Sequence, residues 1–315
     1  MVYIAGETLF VYFLGTSGAL PTVSRNLPAI LLKWGSHDLL FDCGEGTQQQ
    51  MMRARTGFGI SEIFITHWHA DHYLGIIGLL QTLTFNGRQE PLIIFGPDAV
   101  LEIVEDIKQL CRTKFSFPVS AVRVYPGQTY DFEGFAVAVC GADHGIPGVG
   151  YCFMEHPRPG RFNRETAIAL GIKPGPLFGR LQRGEPVTIQ VQGTERVIVP
   201  DQVLGPERPG RKILYTGDTK LNIPQIQTCG TGADLLIHDA TFDNEQEERA
   251  RDFNHATAGD AGICARELKV QRLALFHISS RYTSTALHKR DAASEFSGDI
   301  LVPDDLYSIE IPFHD

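Results

Sequence analysis

Residues 64–72 read Phe-Ile-Thr-His-Trp-His-Ala-Asp-His and follow an apolar run that is typical of a β-strand. Four side chains that can bind a metal ion, His67, His69, Asp71 and His72, therefore lie within six residues. Because side chains alternate along a strand, His67 and His69 are expected to point the same way and share one ion, which leaves Asp71 and His72 for a second. Imidazole and carboxylate suit zinc, manganese or iron.

Residues 73–83 continue as an apolar run with helical character, which puts this segment between a strand and a helix. Folds of the α/β class place ligand sites in such loops. The alternative interpretation is a loop whose histidines make ordinary hydrogen bonds. The density of ligands in one short segment argues against that alternative, and we predict a metal site.

Length and composition indicate a globular protein: 315 residues, 43% of them hydrophobic, can bury a sizeable core. No segment approaches the roughly 18 apolar residues of a membrane span, and the first residues do not resemble a signal peptide. We therefore expect a cytoplasmic protein without a membrane partner. The six cysteines form no Cys-x-x-Cys pair, which favours reduced thiols over disulfides or a cysteine zinc site.

Charge is unevenly distributed along the chain. The formal net charge of −9 by itself disfavours a nucleic-acid partner. Residues 156–212, however, contain ten Lys and Arg against five Asp and Glu, a local charge of +5, so the remainder carries −14 (−9 minus +5). A basic segment on an acidic body is typical of a protein that binds a polyanion, although a solvated basic surface would give the same count.

Strand and helix patterns alternate along most of the chain, which predicts a layered α/β architecture. Thr257 is expected to cap a helix. The clearest predicted strands are 9–14, 29–34 and 38–41 as a hairpin, 62–65, 91–95, short antiparallel strands within 121–142, 212–215, 233–237 and 272–276; the clearest helices are 47–54 and 98–111.

Residues 155–206 differ in texture from the rest of the chain. Gly and Pro are dense there, and only 166–170 has a helical pattern. We therefore interpret 155–206 as an insertion into a single domain that otherwise spans 1–315.

Polar residues recur where predicted strands end. Because neighbouring strand ends converge at one rim of a sheet, we expect these residues to meet. Seven candidate ligands exceed the needs of one tetrahedral ion and match two ions about 3.5–4 Å apart, with Asp218 as the bridging carboxylate. The candidate ligands are His67, His69, Asp71, His72, His144, Asp218 and His277.

Motifs along nearly the whole chain resemble those of the zinc-dependent metallo-β-lactamase fold and, within it, the short-form tRNase Z (ribonuclease Z) family, which processes tRNA 3′ ends. The resemblance implies an α/β fold, the metallo-β-lactamase αβ/βα sandwich of two mixed β-sheets flanked by helices. It rests on residues 13–18, 41–48, 67–72, 158–162, 175–179, 208–219, 238–242 and 277–282.

The resemblance also implies roles in the site. Asp71 would double as the base toward the attacking water, and His255, oriented by Asp239, would protonate the leaving 3′ oxygen. The family has Glu where this chain has Asp239, so the contact from this shorter side chain to His255 is the open point. Of the two implied zinc ions, one would be held by His67, His69 and His144 and the other by Asp71, His72 and His277, with Asp218 bridging.

The insertion corresponds to the family's protruding arm, which grips the tRNA elbow in a homodimer where one subunit's arm serves the other's active site. A loop near the N-terminus usually reads Pro-x-Lys-x-Arg-Asn and senses the mature CCA end. Here Val23 replaces the Lys, which leaves the response to CCA and the exact cleavage position open. The substrate-binding residues implied are Arg25, Asn26, Arg158, Arg161, Lys173, Gly175 and Pro176.

Three classes of function are compatible with these observations. The first is an endoribonuclease that removes the 3′ trailer from precursor tRNA, leaving a 3′-hydroxyl on the tRNA and a 5′-phosphate on the trailer. The second is a small-molecule dizinc hydrolase, such as a phosphodiesterase, lactonase or thioesterase, and the third is a silent RNA-binding or scaffold protein. A small substrate needs no basic projection, and a silent protein is expected to have lost ligands. We therefore expect the endoribonuclease.

Overall fold

The structure, a computed structural model, describes residues 7–112, 114–191 and 193–313. Its strands are β1 (Leu9–Gly15), β2 (Ser17–Gly18), β3 (Ala29–Trp34), β4 (His37–Phe41), β5 (Ile60–Phe64), β6 (Leu92–Gly96), β7 (Val119–Arg123), β8 (Thr129–Asp131), β9 (Phe135–Gly141), β10 (Val149–Glu155), β11 (Val187–Val191), β12 (Thr194–Ile198), β13 (Lys212–Tyr215), β14 (Leu235–Asp239), β15 (Arg272–Phe276), β16 (Ile278–Ser279), β17 (Asp299–Leu301) and β18 (Ser308–Glu310). Its α-helices are α1 (Thr47–Ala54), α2 (Ala70–Tyr73), α3 (Gly75–Phe85), α4 (Val100–Cys111), α5 (Arg164–Ala169), α6 (Pro176–Gln182), α7 (Ile223–Gly230), α8 (Glu247–Asp252), α9 (Ala258–Glu267) and α10 (Ala286–Glu295).

Two mixed seven-stranded sheets form the body of the protein. Their strand orders are β18-β1-β3-β4-β5-β6-β7 and β17-β15-β14-β13-β10-β9-β8. Large apolar side chains from both sheets, among them Phe41, Phe64, Tyr151 and Phe276, form one buried cluster between them. One further buried cluster lies between each sheet and the helices that cover it. The predicted sandwich of two mixed sheets flanked by helices is therefore confirmed.

The central strands are continuous apolar runs because each sheet is covered on both faces. Strand β9 is the clearest example, since all seven of its residues are buried. Helix α4 buries Val100, Val104 and Ile107, whereas Leu101 and Leu110 are exposed, so its buried stripe is narrower than its apolar pattern predicts. None of the helices in the described ranges has the length and apolar character that a membrane span would need.

Several predicted elements are confirmed, and others need correction. The hairpin of β3 and β4, helix α1 and strands β13 and β15 lie where the sequence predicts them. Strand β7, expected to be antiparallel, pairs with β6 in parallel, because the chain returns through helix α4. Strand β10 is missing from the sequence prediction because Pro147 and Gly148 stand directly before it and read as a turn.

Residues 163–203 of the insertion form a small folded module. Helices α5 and α6 and the hairpin of β11 and β12 pack around their own buried cluster, which includes Ala167, Leu181 and Val187. The sequence predicts only the first of these two helices, because the dense Gly and Pro residues obscure the pattern of the second. Proline at the start of α6 is compatible with a helix, since the first N–H has no helical partner. A two-stranded stalk, with bridges between Arg158 and Arg208 and between Phe162 and Leu204, connects the module to the body.

A buried ion pair lies at the root of this stalk. The Arg211 guanidinium donates hydrogen bonds to both carboxylate oxygens of Glu155, at 2.8 and 2.9 Å, and Trp34 Nε1 donates to Glu155 at 2.9 Å. The Phe313 ring lies between the guanidinium groups of Arg211 and Arg158, 3.8 and 3.6 Å from their central carbons. Glu155 is the last residue of strand β10 and therefore packs as part of the body.

Candidate metal centre

The histidine-rich segment lies beyond the strand that leads into it. Strand β5 ends at Phe64, and Asp71 and His72 lie in the short helix α2. Side-chain alternation along a strand is therefore the wrong reason for His67 and His69 to face each other. The two rings nevertheless face each other, with His67 Nε2 2.9 Å from His69 Nδ1. They do so because the chain turns into α2 directly after His69.

Three imidazoles form the first ligand group. His144, which follows strand β9, brings its Nε2 within 3.1 Å of His69 Nδ1, and His67 completes the group. The opposite nitrogens of two rings are already engaged: His67 Nδ1 with Thr66 Oγ1 at 3.0 Å, and His144 Nδ1 with the Asn254 carbonyl at 2.9 Å. Each Nε2 is thereby directed toward its neighbours in the group.

Asp71, His72 and His277 form the second group. Asp71 Oδ2 lies 3.5 Å from His72 Nε2 and 3.4 Å from His277 Nε2. Asp218 lies between the two groups: its Oδ2 is 3.3 Å from Nε2 of both His72 and His277, and 3.7 Å from Nε2 of His67. Asp218 thus has the position expected of a bridging ligand.

Buried polar atoms test whether metal ions fit these groups. His72 Nε2 and Asp218 Oδ1 are buried without a hydrogen-bond partner, an arrangement that is costly unless another ligand satisfies them. Burial and the neighbouring imidazole of His72 lower the pKa of His67 well below its ordinary value, so His67 is neutral and can donate a lone pair. Burial raises the pKa of Asp218, but the His277 and His72 imidazoles outweigh burial and hold that pKa well below its usual range. The donor set therefore fits divalent cations.

Asp42 supports this centre and is absent from the candidate residues above. It follows β4 with a φ of +54°. His72 Nδ1 donates to Asp42 Oδ2 at 2.8 Å, Tyr215 donates to the same oxygen at 2.7 Å, and the Thr66 N–H donates to Oδ1 at 2.8 Å. The position of Asp42 at a strand end is the sequence signal that could have identified it. Such partners fix the orientation of a ligating histidine.

Gly217 shows how closely the loops approach each other around Asp218. Its φ is +62°, and a Cβ atom there would lie 2.7 Å from the Cβ of Thr66. Glycine is therefore required at this position.

The contact between Asp239 and His255 is present. His255 Nδ1 lies 2.7 Å from Asp239 Oδ2, and the His255 ring stacks on that of His277 with centroids 5.1 Å apart. Burial lowers the pKa of His255, but the carboxylate of Asp239 outweighs burial and raises that pKa to about 9.

The residues implied in substrate binding lie in different environments. The Arg25 guanidinium is engaged within the protein, with Thr16, the Pro303 carbonyl and Asp304, and Asn26 donates to the Glu45 carbonyl. Two guanidinium nitrogens of Arg158, Nε and Nη2, are buried at the stalk root. The remaining implied residues, Arg161, Lys173, Gly175 and Pro176, are exposed on the insertion.

The two mixed sheets and the rim of His and Asp side chains that suit a metal ion define a metal-dependent hydrolase with the metallo-β-lactamase fold. Two family models match parts of the chain: "Beta-lactamase superfamily domain" over residues 203–278 and "Anti-Pycsar protein Apyc1" over residues 9–144. Ribonuclease Z of Methanosarcina acetivorans is 44% identical over 97% of this chain and 99% of its own. Ribonuclease Z of Halorubrum lacusprofundi is 46% identical over 98% of this chain and 99% of its own. The chain belongs to the ribonuclease Z family.

Solved structures agree with this assignment. Human tRNase Z, short form, has a TM-score of 0.69 and 25% identity, with 96% of this chain and 100% of that chain covered. The metallo-β-lactamase fold protein YhfI from Bacillus subtilis has a TM-score of 0.66 and 19% identity, with 96% and 99% covered, and this likeness shows the fold alone.

Proposed function

We propose that this chain is a cytoplasmic, zinc-dependent endoribonuclease that removes the 3′ trailer from precursor tRNA, leaving a 3′-hydroxyl on the tRNA and a 5′-phosphate on the trailer. The observation that carries the proposal is the complete set of seven ligands at one rim, in a chain that is 43–46% identical to proteins named ribonuclease Z over nearly its full length. Proteins of this family act on RNA, which favours a polynucleotide over a small-molecule substrate.

In this proposal each of the two ligand groups would hold one zinc ion, and Asp218 would be a ligand common to both. Bound zinc would activate the attacking water and neutralise the charge that develops on the phosphate. Asp71 Oδ2 also accepts a hydrogen bond from the Ala19 N–H at 2.9 Å, which fixes its orientation. Burial raises the pKa of Asp71, but the neighbouring His277 and His72 imidazoles outweigh burial and lower it. Asp71 is therefore ionised at neutral pH and can orient the attacking water by accepting its hydrogen bond.

His255 is the proposed acid. The Asp239 carboxylate accepts a hydrogen bond from the Nδ1–H of His255. The Nε2–H of His255 is then left to protonate the 3′ oxygen as the bond from phosphorus to that oxygen breaks. Protonation of the leaving oxygen gives the free 3′-hydroxyl on the tRNA.

The inserted module is the proposed tRNA contact, in a homodimer where it serves the partner's site. The basic excess of residues 156–212 lies mainly at the root of the stalk and not on the module. Residues 163–203 contain five Lys and Arg against four Asp and Glu, a net +1. Arg180 and Arg183 both pair with Glu185, which reduces their availability to phosphate. Exposed Arg164, Lys173 and Arg196 are the candidate contacts on the module.

Incubation of the pure protein with a precursor tRNA, with and without a chelator, tests this function. We expect cleavage that is lost with the chelator and restored by zinc, a 3′-hydroxyl on the tRNA product, and two zinc equivalents per active chain. An active protein with one equivalent would contradict the two-ion centre. Hydrolysis of small phosphodiesters alone, with precursor tRNA left intact, would favour the small-molecule hydrolase.

A further inference from the structure

Thr241 connects the proposed acid to the second ligand group. It lies two residues after strand β14 and is buried. Its Oγ1 is 2.7 Å from Asp239 Oδ1, 2.8 Å from His277 Nδ1 and 3.2 Å from His255 Nδ1. Three groups of the site therefore meet at one hydroxyl.

A hydroxyl has one hydrogen to donate, so these contacts can be assigned. The Asp239 carboxylate already accepts hydrogen bonds from the backbone N–H groups of Thr219 and Thr241, at 3.1 and 2.9 Å, so it is an acceptor at this position. Thr241 must therefore donate to Asp239. The Nδ1–H of His255 points to the second carboxylate oxygen, which is closer at 2.7 Å. The lone pair of Thr241 is left to accept the Nδ1–H of His277.

The backbone around Thr241 holds the hydroxyl in place. The Thr241 N–H donates to Asp239 Oδ1 at 2.9 Å, and the Thr241 carbonyl accepts from the Ser279 N–H at 3.2 Å. Thr241 is thus tied to the strand end before it and to the segment that follows His277.

His277 needs such support, because its backbone has a φ of +62°, a conformation that non-glycine residues rarely adopt. On its other side the ring packs against Gly18, where an added Cβ atom would lie 2.6 Å from His277 Nδ1. Gly18 limits where the ring can move, and the Thr241 hydroxyl is the hydrogen-bond partner of its Nδ1.

We propose that Thr241 is a positioning residue for His277: its hydroxyl fixes the tautomer with hydrogen on Nδ1 and keeps Nε2 free for the second metal ion. His277 Nε2 is the atom that faces Asp218 and Asp71, at 3.3 and 3.4 Å. The inference rests on the proposed function for the identity of the ion. It is nevertheless testable by zinc binding, whether or not tRNA is cleaved.

Two variants separate the hydroxyl from the rest of the side chain. Thr241→Val keeps the size and branching but leaves the Nδ1–H of His277 without an acceptor, whereas Thr241→Ser keeps the hydroxyl and loses a methyl group. Calorimetric titration of the metal-free chain with zinc should show one of the two sites weakened by about 10–100-fold in Thr241→Val, the usual loss when such a partner is removed. The other site should bind normally, and Thr241→Ser should bind both ions like the wild type.

A second measurement reports the tautomer. In zinc-loaded protein with ¹⁵N-labelled histidine, the wild type and Thr241→Ser should show a hydrogen-bonded Nδ1–H resonance for His277 that is lost in Thr241→Val. If the proposed function also holds, kcat for precursor tRNA should fall in Thr241→Val with little change in KM. The proposal is overturned if Thr241→Val binds both ions like the wild type, if both sites weaken together, or if Thr241→Ser is as weak as Thr241→Val.

Discussion

His255 Nδ1 lies 2.7 Å from Asp239 Oδ2, although Asp239 has one methylene fewer than the glutamate of its family. The shorter side chain reaches because Asp239 is the last residue of β14, whose end lies beside the loop that carries His255. Asn254, directly before His255, has a φ of +57° and turns the chain back toward the rim. The pair therefore forms with the shorter side chain, as the proposed proton transfer requires.

Replacement of His255 by alanine should slow precursor tRNA cleavage by about 10²–10⁴-fold, the usual worth of a positioned acid. Zinc content should stay at the wild-type level, because His255 lies outside the proposed ligands. The rate of hydrolysis of a nitrophenyl phosphodiester, whose leaving group needs no proton, should fall far less. His156→Ala is the matched control, since His156 pairs with Asp131 at the edge of the body. Equal losses on both substrates, or a loss of zinc, would contradict the acid role.

The meeting of the seven candidate ligands at one rim could be predicted from the sequence, because their spacing and their places at strand ends carry the signal directly. The same strand-end signal marks Asp42, but the sequence does not show that Asp42 and Thr241 act as partners of His72 and His277, because that depends on which histidine nitrogen each one meets after folding. Strand β7 shows the same limit: its pattern predicts a strand, but only the crossover through α4 decides that it is parallel. Net charge along the insertion was misleading for a similar reason, since Arg211 is buried against Glu155 and is not on the surface.

Replacement of Asp42 by alanine should weaken zinc binding at the second group by about 10–100-fold, because His72 would lose the partner that fixes its Nδ1–H. Tyr215→Phe is the matched control: it removes a different donor from the same carboxylate oxygen and leaves His72 bonded. Zinc titration of both metal-free variants measures the difference. If Tyr215→Phe binds zinc as weakly as Asp42→Ala does, Asp42 acts by stabilising the fold.

Replacement of Arg211 by methionine should lower the free energy of unfolding by about 3–5 kcal/mol, because it leaves the buried carboxylate of Glu155 without its partner. Arg266→Met is the control, since the pair of Arg266 with Glu295 is on the surface and such pairs contribute about 0–1 kcal/mol. Urea unfolding of the three proteins provides the comparison. A loss in Arg211→Met no larger than that in Arg266→Met would contradict the importance of this pair.

This contribution should also depend on pH. Burial raises the pKa of Glu155, but the hydrogen bond from Arg211 outweighs burial, and the pKa is lowered in the folded protein. A group with a lowered folded pKa stabilises the fold above its unfolded pKa, near 4.5, and loses that contribution as the pH falls through the folded value. The difference in the free energy of unfolding between wild type and Arg211→Met should therefore be largest at neutral pH and become smaller in acid.

Replacement of residues 163–203 by a short Gly/Ser linker tests the role of the inserted module. The cut joins Phe162 to Leu204, which are already bridged across the stalk, and keeps Glu155 and Arg211 in place. Because the seven ligands lie outside the deleted segment, zinc content and hydrolysis of a small phosphodiester should be unchanged. Cleavage of precursor tRNA should fall sharply through a raised KM. Substitution of Arg164, Lys173 and Arg196 by alanine should reduce the salt slope of binding by at most about 3 units, and the paired Arg180 and Arg183 should contribute less.

Mixing two defective proteins then asks whose active site the module serves. The module-deleted chain has an intact site, and the His255→Ala chain has an intact module. If one subunit's module presents tRNA to the other's site, mixed dimers should regain cleavage, because an intact module and an intact site then lie across the same interface. Each protein alone should stay inactive on precursor tRNA at the same concentration. Mixed dimers without recovered activity would mean that the module serves its own subunit, and unchanged cleavage by the deleted chain alone would show that the insertion does not bind the substrate.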